Sequence, residues 1–214
     1  MSAGTRHSLP AALSAATHLM GWWKMRTPSC AIVGSIRRRR PDVGDIELLA
    51  PLPHEGERDL LYEAIRDSFE PAGMFDDPGK PHLTGRVVKG LKAGFKECDL
   101  ICNMTRTDTG EVYSFPTQVF RYESGDRGNR GWIELMRTGP GDFGKWFLGR
   151  WKKHHGISPL QQASIDGHLV DSYGKRIPTR DEDDAFRHCG MKPIPPEKRD
   201  SYVMDSREMA EVFR

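Results

Sequence analysis

The chain has no apolar run long enough to cross a bilayer as a helix. Residues 9–25 come nearest, but Pro10 and His18 interrupt them. That stretch also lacks the basic leader and cleavage site of a secretory signal. Net charge is slight, +2 from 32 basic and 30 acidic residues, so bulk charge does not announce a nucleic-acid binder. Cysteine is scarce. Cys30, Cys98, Cys102 and Cys189 lack the paired spacing of a zinc site and read as buried free thiols in a reducing cytosol. No internal repeat is visible. At 214 residues the chain can bury one core or two small ones.

What charge there is lies in clusters. Arg37 to Arg40 and Arg150 to His155 are basic, and Asp181 to Asp184 is acidic. The first basic cluster sits in the most informative stretch, residues 31–49. An apolar run, Ala31 to Val33, ends in Gly34-Ser35. After the arginines come Pro41-Asp42-Val43-Gly44 and a second apolar run that opens with Asp45 and Glu47. Side chains alternate along a strand, so Asp45 and Glu47 share one face while Ile46 and Leu48 share the other. Two like charges roughly 7 Å apart repel and serve no packing need. A divalent cation held between them explains the pair. Gly-Ser after a strand offers backbone N–H groups to an anion. Together they suggest a nucleoside triphosphate with its magnesium.

Elsewhere, Leu9, Leu13, Ala16 and Met20 form one stripe of a helix over residues 9–25, with Ser8 as cap and one of Trp22 and Trp23 in the core. Leu60, Leu61, Ala64, Ile65 and Phe69 give a second helix from Asp59, and residues 71–81 read as a loop. Residues 95–102 read as a strand that sets Glu97 and Asp99 on one face and Cys98, Leu100 and Cys102 on the other. A further strand is expected at 132–137, with Glu134 in it, and residues 104–130 between the two read as a hairpin insertion. Phe143 to His155 reads as a helix with basic residues outside. Residues 165–177 read as a hairpin, and Asp181 to Arg187 as a short helix whose acidic start suits its dipole. His154-His155 is no metal pair, since helical neighbours do not face one site.

These motifs resemble the signature of the DNA polymerase X family: Gly34-Ser35, Arg37-Arg38, and Gly44-Asp45-Ile46-Glu47. Thr138-Gly139 with Phe143, and the closing run Cys189 to Arg199, extend the likeness over about residues 30–200. The resemblance implies an α+β fold: a nucleotidyltransferase palm, a mixed sheet with flanking helices, over 30–135. A helix within 1–29 would pack on it, and a small C-terminal α/β nucleotide-binding subdomain would span 136–214. It implies a two-metal attack of a primer 3′-hydroxyl on a nucleotide, with pyrophosphate release. Asp45 and Glu47 would bridge two Mg2+ or Mn2+ ions about 3.5–4 Å apart. Asp99 would bind the ion nearest the primer, and is preferred to Glu134 because the strand at 132–137 leads into the Thr-Gly turn. Gly34, Ser35 and Arg38, with Gly44 beside the acids, would hold the triphosphate; Arg37 is the alternative to Arg38. Thr138 and Gly139 would line the sugar.

Three departures stand out. Glu47 replaces the commoner aspartate, Met136-Arg137 replaces an aromatic pair, and Pro140 replaces serine after a cis bond. A cis bond costs least before proline, so Gly139–Pro140 is expected to be cis. Only about thirty residues precede Gly34, too few for the lyase and helix-hairpin-helix elements of larger members. The implied protein is a minimal, monomeric phage- or bacterial-type polymerase in the cytosol, taking dNTP. It would grip DNA primer and template weakly, with a replication or repair partner protein and no membrane. Template-independent nucleotide transfer to RNA, protein or a small molecule is an alternative. So is a non-catalytic nucleotide- or DNA-binding subunit, which would have lost one of the acids.

Overall fold

The computed structural model describes residues 6–24, 29–69, 82–105 and 109–202. The chain is α+β and divides into two compact units. One comprises Met1–Ile36 with Arg40–Arg121, the other Arg37–Arg39 with Tyr122–Arg214. The main division in sequence falls between Arg121 and Tyr122, and residues of the N-terminal helix enter the first unit's core.

The first unit runs β1 (His7–Ser8), α1 (Leu9–Lys24), β2 (Ala31–Ile32), α2 (Gly34–Arg37), β3 (Asp42–Val43), β4 (Ile46–Pro51), α3 (Leu60–Phe69), β5 (His82–Lys89), β6 (Glu97–Thr105) and β7 (Val112–Tyr122). Five strands form one mixed sheet in the order β2-β4-β7-β6-β5, while β1 pairs with β3 apart from it. Alternation decides the sheet's faces. Ile46, Leu48 and Ala50 of β4, Cys98, Leu100 and Cys102 of β6, and Phe115 and Val119 of β7 join one core with α1 and α3. Asp45, Glu47, Asp99 and Gln118 alternate with these residues and so fall on the opposite face.

The stripe that α1 buries is Ala12, Ala15, Ala16, Leu19 and Trp23, while Leu13 is exposed. Small residues rather than leucines face the sheet because they let the helix backbone approach it closely. Ser8 lies in β1 rather than standing clear as a cap. In α3, Leu61, Ala64 and Ile65 are buried. The buried Asp59 accepts a bond from the Tyr62 N–H at 3.1 Å and pairs with the buried Arg121 at 3.2 Å, which ties the helix start to the end of β7. The expected loop at 71–81 and the side chains of Trp22 and Phe69 lie outside the described residues.

The second unit contains α4 (Arg130–Thr138), α5 (Gly141–His154), β8 (Ser164–Ile165), β9 (His168–Val170), β10 (Arg176–Ile177), α6 (Glu182–His188) and a 3-10 turn, Pro196–Lys198. β9 is the middle strand of a three-stranded antiparallel sheet. The core holds Trp132, Leu135, Phe143, Phe147, Trp151, Leu169, Ala185 and Phe186. Residues 132–137 are therefore helical, not extended. Gly131, Trp132, Glu134, Leu135 and Thr138 are the buried positions, and that spacing is helical rather than alternating. Asp181 caps α6 by accepting the Asp184 N–H at 2.7 Å. All four cysteines are free and buried, and burial pushes the Cys102 thiol up to about 12. Among the described residues, no helix is long and apolar enough to cross a membrane.

Candidate metal and nucleotide site

In the first unit, β2 and β4 pair antiparallel, Ala31 with Leu49 and Ile32 with Leu48. The ladder continues with the Val33 N–H donating to the Glu47 carbonyl at 2.9 Å, which sets Gly34 beside Glu47. Gly34 has φ +68°, and a Cβ there would lie 1.8 Å from Glu47 Oε2. Only glycine allows both the backbone turn and the carboxylate packed against it. Next along, Ser35 Oγ is buried and makes no hydrogen bond. An orphaned hydroxyl one residue on from that glycine suits a polar ligand at this turn, because a buried polar atom costs free energy unless a partner satisfies it. Asp45 and Glu47 are both half-buried on the same face of the sheet. Gly44 is different. It has no positive φ, and nothing lies within 4 Å of a Cβ placed there, so its geometry does not require glycine.

Asp99 does not join this pair. β7 stands between β4 and β6. Asp99 therefore lies two strands away from β4, roughly 10 Å across the sheet at about 4.8 Å per strand. Among the described residues, no three His, Cys, Asp or Glu side chains are grouped to hold a metal ion. The oxygens of Asp99 are already engaged. Oδ1 accepts from Gln118 Nε2 at 3.2 Å, and Oδ2 pairs with Lys89 Nζ at 3.2 Å. Within residues 104–130, expected to be a hairpin insertion, residues 112–122 form β7, the central strand of the sheet.

The residue on β7 that faces Asp99 in register is Gln118. It was not singled out in the sequence, although the alternation of Phe115, Thr117 and Val119 with Pro116 and Gln118 marks a strand. Pro116 obscured it, since proline is unusual inside a sheet. The carboxylate of Asp99 accepts only, so it must receive the Gln118 NH2, and the amide's carbonyl oxygen remains as its acceptor end. The donors on β4 and β7 are thus two carboxylates and one amide. All three are oxygen donors of the kind a hard divalent cation takes.

In the second unit the remaining expected residues gather at one turn. Gly139–Pro140 is cis and Gly139 has φ +65°. Arg38 Nη1 donates to the Thr138 carbonyl, and a Cβ on Gly139 would stand 3.2 Å from that same nitrogen. Arg38 Nε also lies 3.4 Å from Asp200 Oδ2. Arg37 points elsewhere, as adjacent residues should. It donates to Thr138 Oγ1 at 2.6 Å, to both oxygens of Glu182 at 2.9 Å, and lies 3.2 Å from Glu134 Oε1. Glu182 is also 2.8 Å from Arg199, which has no solvent exposure and lies under the rings of Phe143 and Phe186. Burial pushes the Glu182 carboxyl up, but the bonds from Arg37 and Arg199 outweigh it and hold the group below its ordinary value. Arg37 is therefore committed to buried carboxylates, and Glu134, the rival third acid, belongs to the same network.

Gly34→Ala is expected to cost about 1–3 kcal/mol of stability from backbone strain. It should also weaken cation-dependent nucleotide binding at least tenfold by displacing Glu47. Chemical denaturation and a titration with magnesium nucleotide measure the two effects.

No protein-family model matches the chain, and no curated protein does.

Proposed function

We propose that this chain is a nucleotidyltransferase of the family X polymerase type, with its first unit as a palm. It would take a nucleoside triphosphate through one divalent cation on Asp45 and Glu47 and pass the nucleotide to a hydroxyl acceptor. The observation that carries the reading is the Glu47 carboxylate packed on Gly34, one residue from the orphaned Ser35 hydroxyl. A buried hydroxyl without a partner is costly unless a ligand satisfies it.

When bound, a divalent cation would neutralise phosphate charge and polarise the reacting phosphoryl group. Asp45 and Glu47 supply the ligand oxygens, and the strand backbone holds both on one face. Ser35 Oγ and the amides of the Gly34 turn would donate to phosphate oxygens. Gln118 would orient the acceptor hydroxyl through its carbonyl oxygen. An amide does not take up the proton that such an attack releases, so the reaction should be slow.

That same residue supports a second reading, a subunit that binds nucleotide without transferring it. Extension of a labelled primer on gapped and single-stranded DNA separates the two. Magnesium or manganese should be supplied, deoxynucleotides and ribonucleotides both offered, and Asp45→Ala used as control. Addition that depends on Asp45 supports transfer. Equal addition with and without template would assign a template-independent enzyme. Gln118→Asp restores a base on the strand next to β4 and should raise the rate about 100-fold or more. No addition by either the native chain or Gln118→Asp would leave only the binding subunit.

A further inference from the structure

The basic run at the end of α5 sorts into two sets. Lys152 Nζ donates to the Pro159 carbonyl at 2.8 Å. His155 stacks on Trp151 at 4.2 Å and bonds the His188 carbonyl through Nε2 at 2.9 Å. These two side chains hold the fold. Arg150, Lys153 and His154 stand at positions i, i+3 and i+4, and therefore share one helix face. With Cys189, Gly190 and Met191 they line a pocket of about 450 Å³. No carboxylate lines it, and among the described residues none of the three basic side chains has an ion-pair partner.

Helix polarity accounts for part of this charge, since cations favour a helix C-terminus. It does not account for Arg150, which precedes the last turn, or for convergence on one pocket. The floor is built to stay neutral and close. Burial pushes the Cys189 thiol up, with Arg150 opposing more weakly, so the sulfur adds no negative charge. Gly190 has φ +66°, and a Cβ there would meet His154 Cε1 at 3.0 Å. Glycine thus lets the chain after α6 come up against the α5 face.

We propose that this pocket binds a phosphomonoester. The Arg150 guanidinium can take two phosphate oxygens side by side, Lys153 adds a point charge, and His154 adds a ring N–H donor. The volume lies within the range of small-ligand sites. It leaves room beyond a phosphate for a sugar against Met191. A pocket with a floor takes an end rather than a continuous strand. Two sources carry that chemistry, a free nucleotide and the phosphorylated end of a nucleic-acid strand. The site lies wholly in the second unit and does not depend on Asp45 or Glu47.

The test uses the full chain without divalent cation. Fluorescence anisotropy compares labelled oligonucleotides of one sequence bearing a 5′-phosphate or a 5′-hydroxyl, and calorimetry titrates a nucleoside monophosphate and inorganic phosphate. A strand-end site should favour the 5′-phosphate at least tenfold. A free-nucleotide site should show monophosphate binding without that preference. Either binding should fall more than tenfold in Arg150→Gln/Lys153→Gln and in Gly190→Ala, with unchanged circular dichroism, and should persist in Asp45→Asn. No preference for the phosphorylated end together with no monophosphate binding at millimolar concentration would overturn the proposal. So would binding that the Arg150→Gln/Lys153→Gln variant retains.

Discussion

Asp45→Asn is expected to lower nucleotide incorporation by about a thousandfold or more while leaving the fold intact. Asp45 sits on the sheet face away from the core, so the substitution removes a charge without opening a cavity. A cation's stabilisation of a transferring phosphoryl group is worth several kcal/mol, and about 1.4 kcal/mol is tenfold in rate. One carboxylate of only two should carry a large part of that. Steady-state incorporation over a range of magnesium concentration measures it. A deficit repaired by high magnesium would mean lost cation affinity; one that persists at saturation would mean lost catalysis. Incorporation unchanged at every concentration would remove Asp45 from the site and, with it, the proposed function.

Glu182→Gln should produce the largest loss of stability, about 3–5 kcal/mol, because it leaves buried cations without their counter-charge. Glu182 receives Arg37 at 2.9 Å and Arg199 at 2.8 Å, and Arg199 is wholly enclosed. Arg37 keeps Glu134 at 3.2 Å, but Arg199 has no second carboxylate among its ion pairs in the described residues. Urea denaturation of the full chain, followed by tryptophan fluorescence, measures the loss. Its pH dependence is a second check. The folded-state pKa of Glu182 is depressed below its ordinary 4.5. Its contribution is therefore complete above about pH 4.5 and is lost as pH falls through the lower, folded value. The gap between the native chain and Glu182→Gln should narrow only below about pH 4.5. A constant gap across that range would mean that charge is not what Glu182 contributes.

The motif between Ala31 and Leu49 was legible because it is local. A turn glycine, a serine and two acids one residue apart need only strand alternation to share a face, and the ladder between β2 and β4 sets Gly34 against Glu47. The cis bond at Gly139–Pro140 was expected from the family resemblance at that turn, since proline only lowers the cost of a cis bond and does not require it. Helix α5 and the acidic start of α6 follow from local periodicity and capping.

Strand order is not local, and there the reading failed. Alternation placed Asp99 on the right face but could not say how many strands separate it from β4, and β7 came between them. Burial also reversed the reading of 132–137, where Trp132 and Leu135 enter a core that only distant helices complete. The network of Arg37, Glu134, Glu182 and Arg199 was invisible for the same reason, since its members lie up to 162 positions apart in sequence. The sequence by itself determined which side chains carry the chemistry to bind a phosphate or a cation. Tertiary structure decided which of them share a site, because a carboxylate's reach is a few ångströms and strand order alone sets whether two of them fall within it.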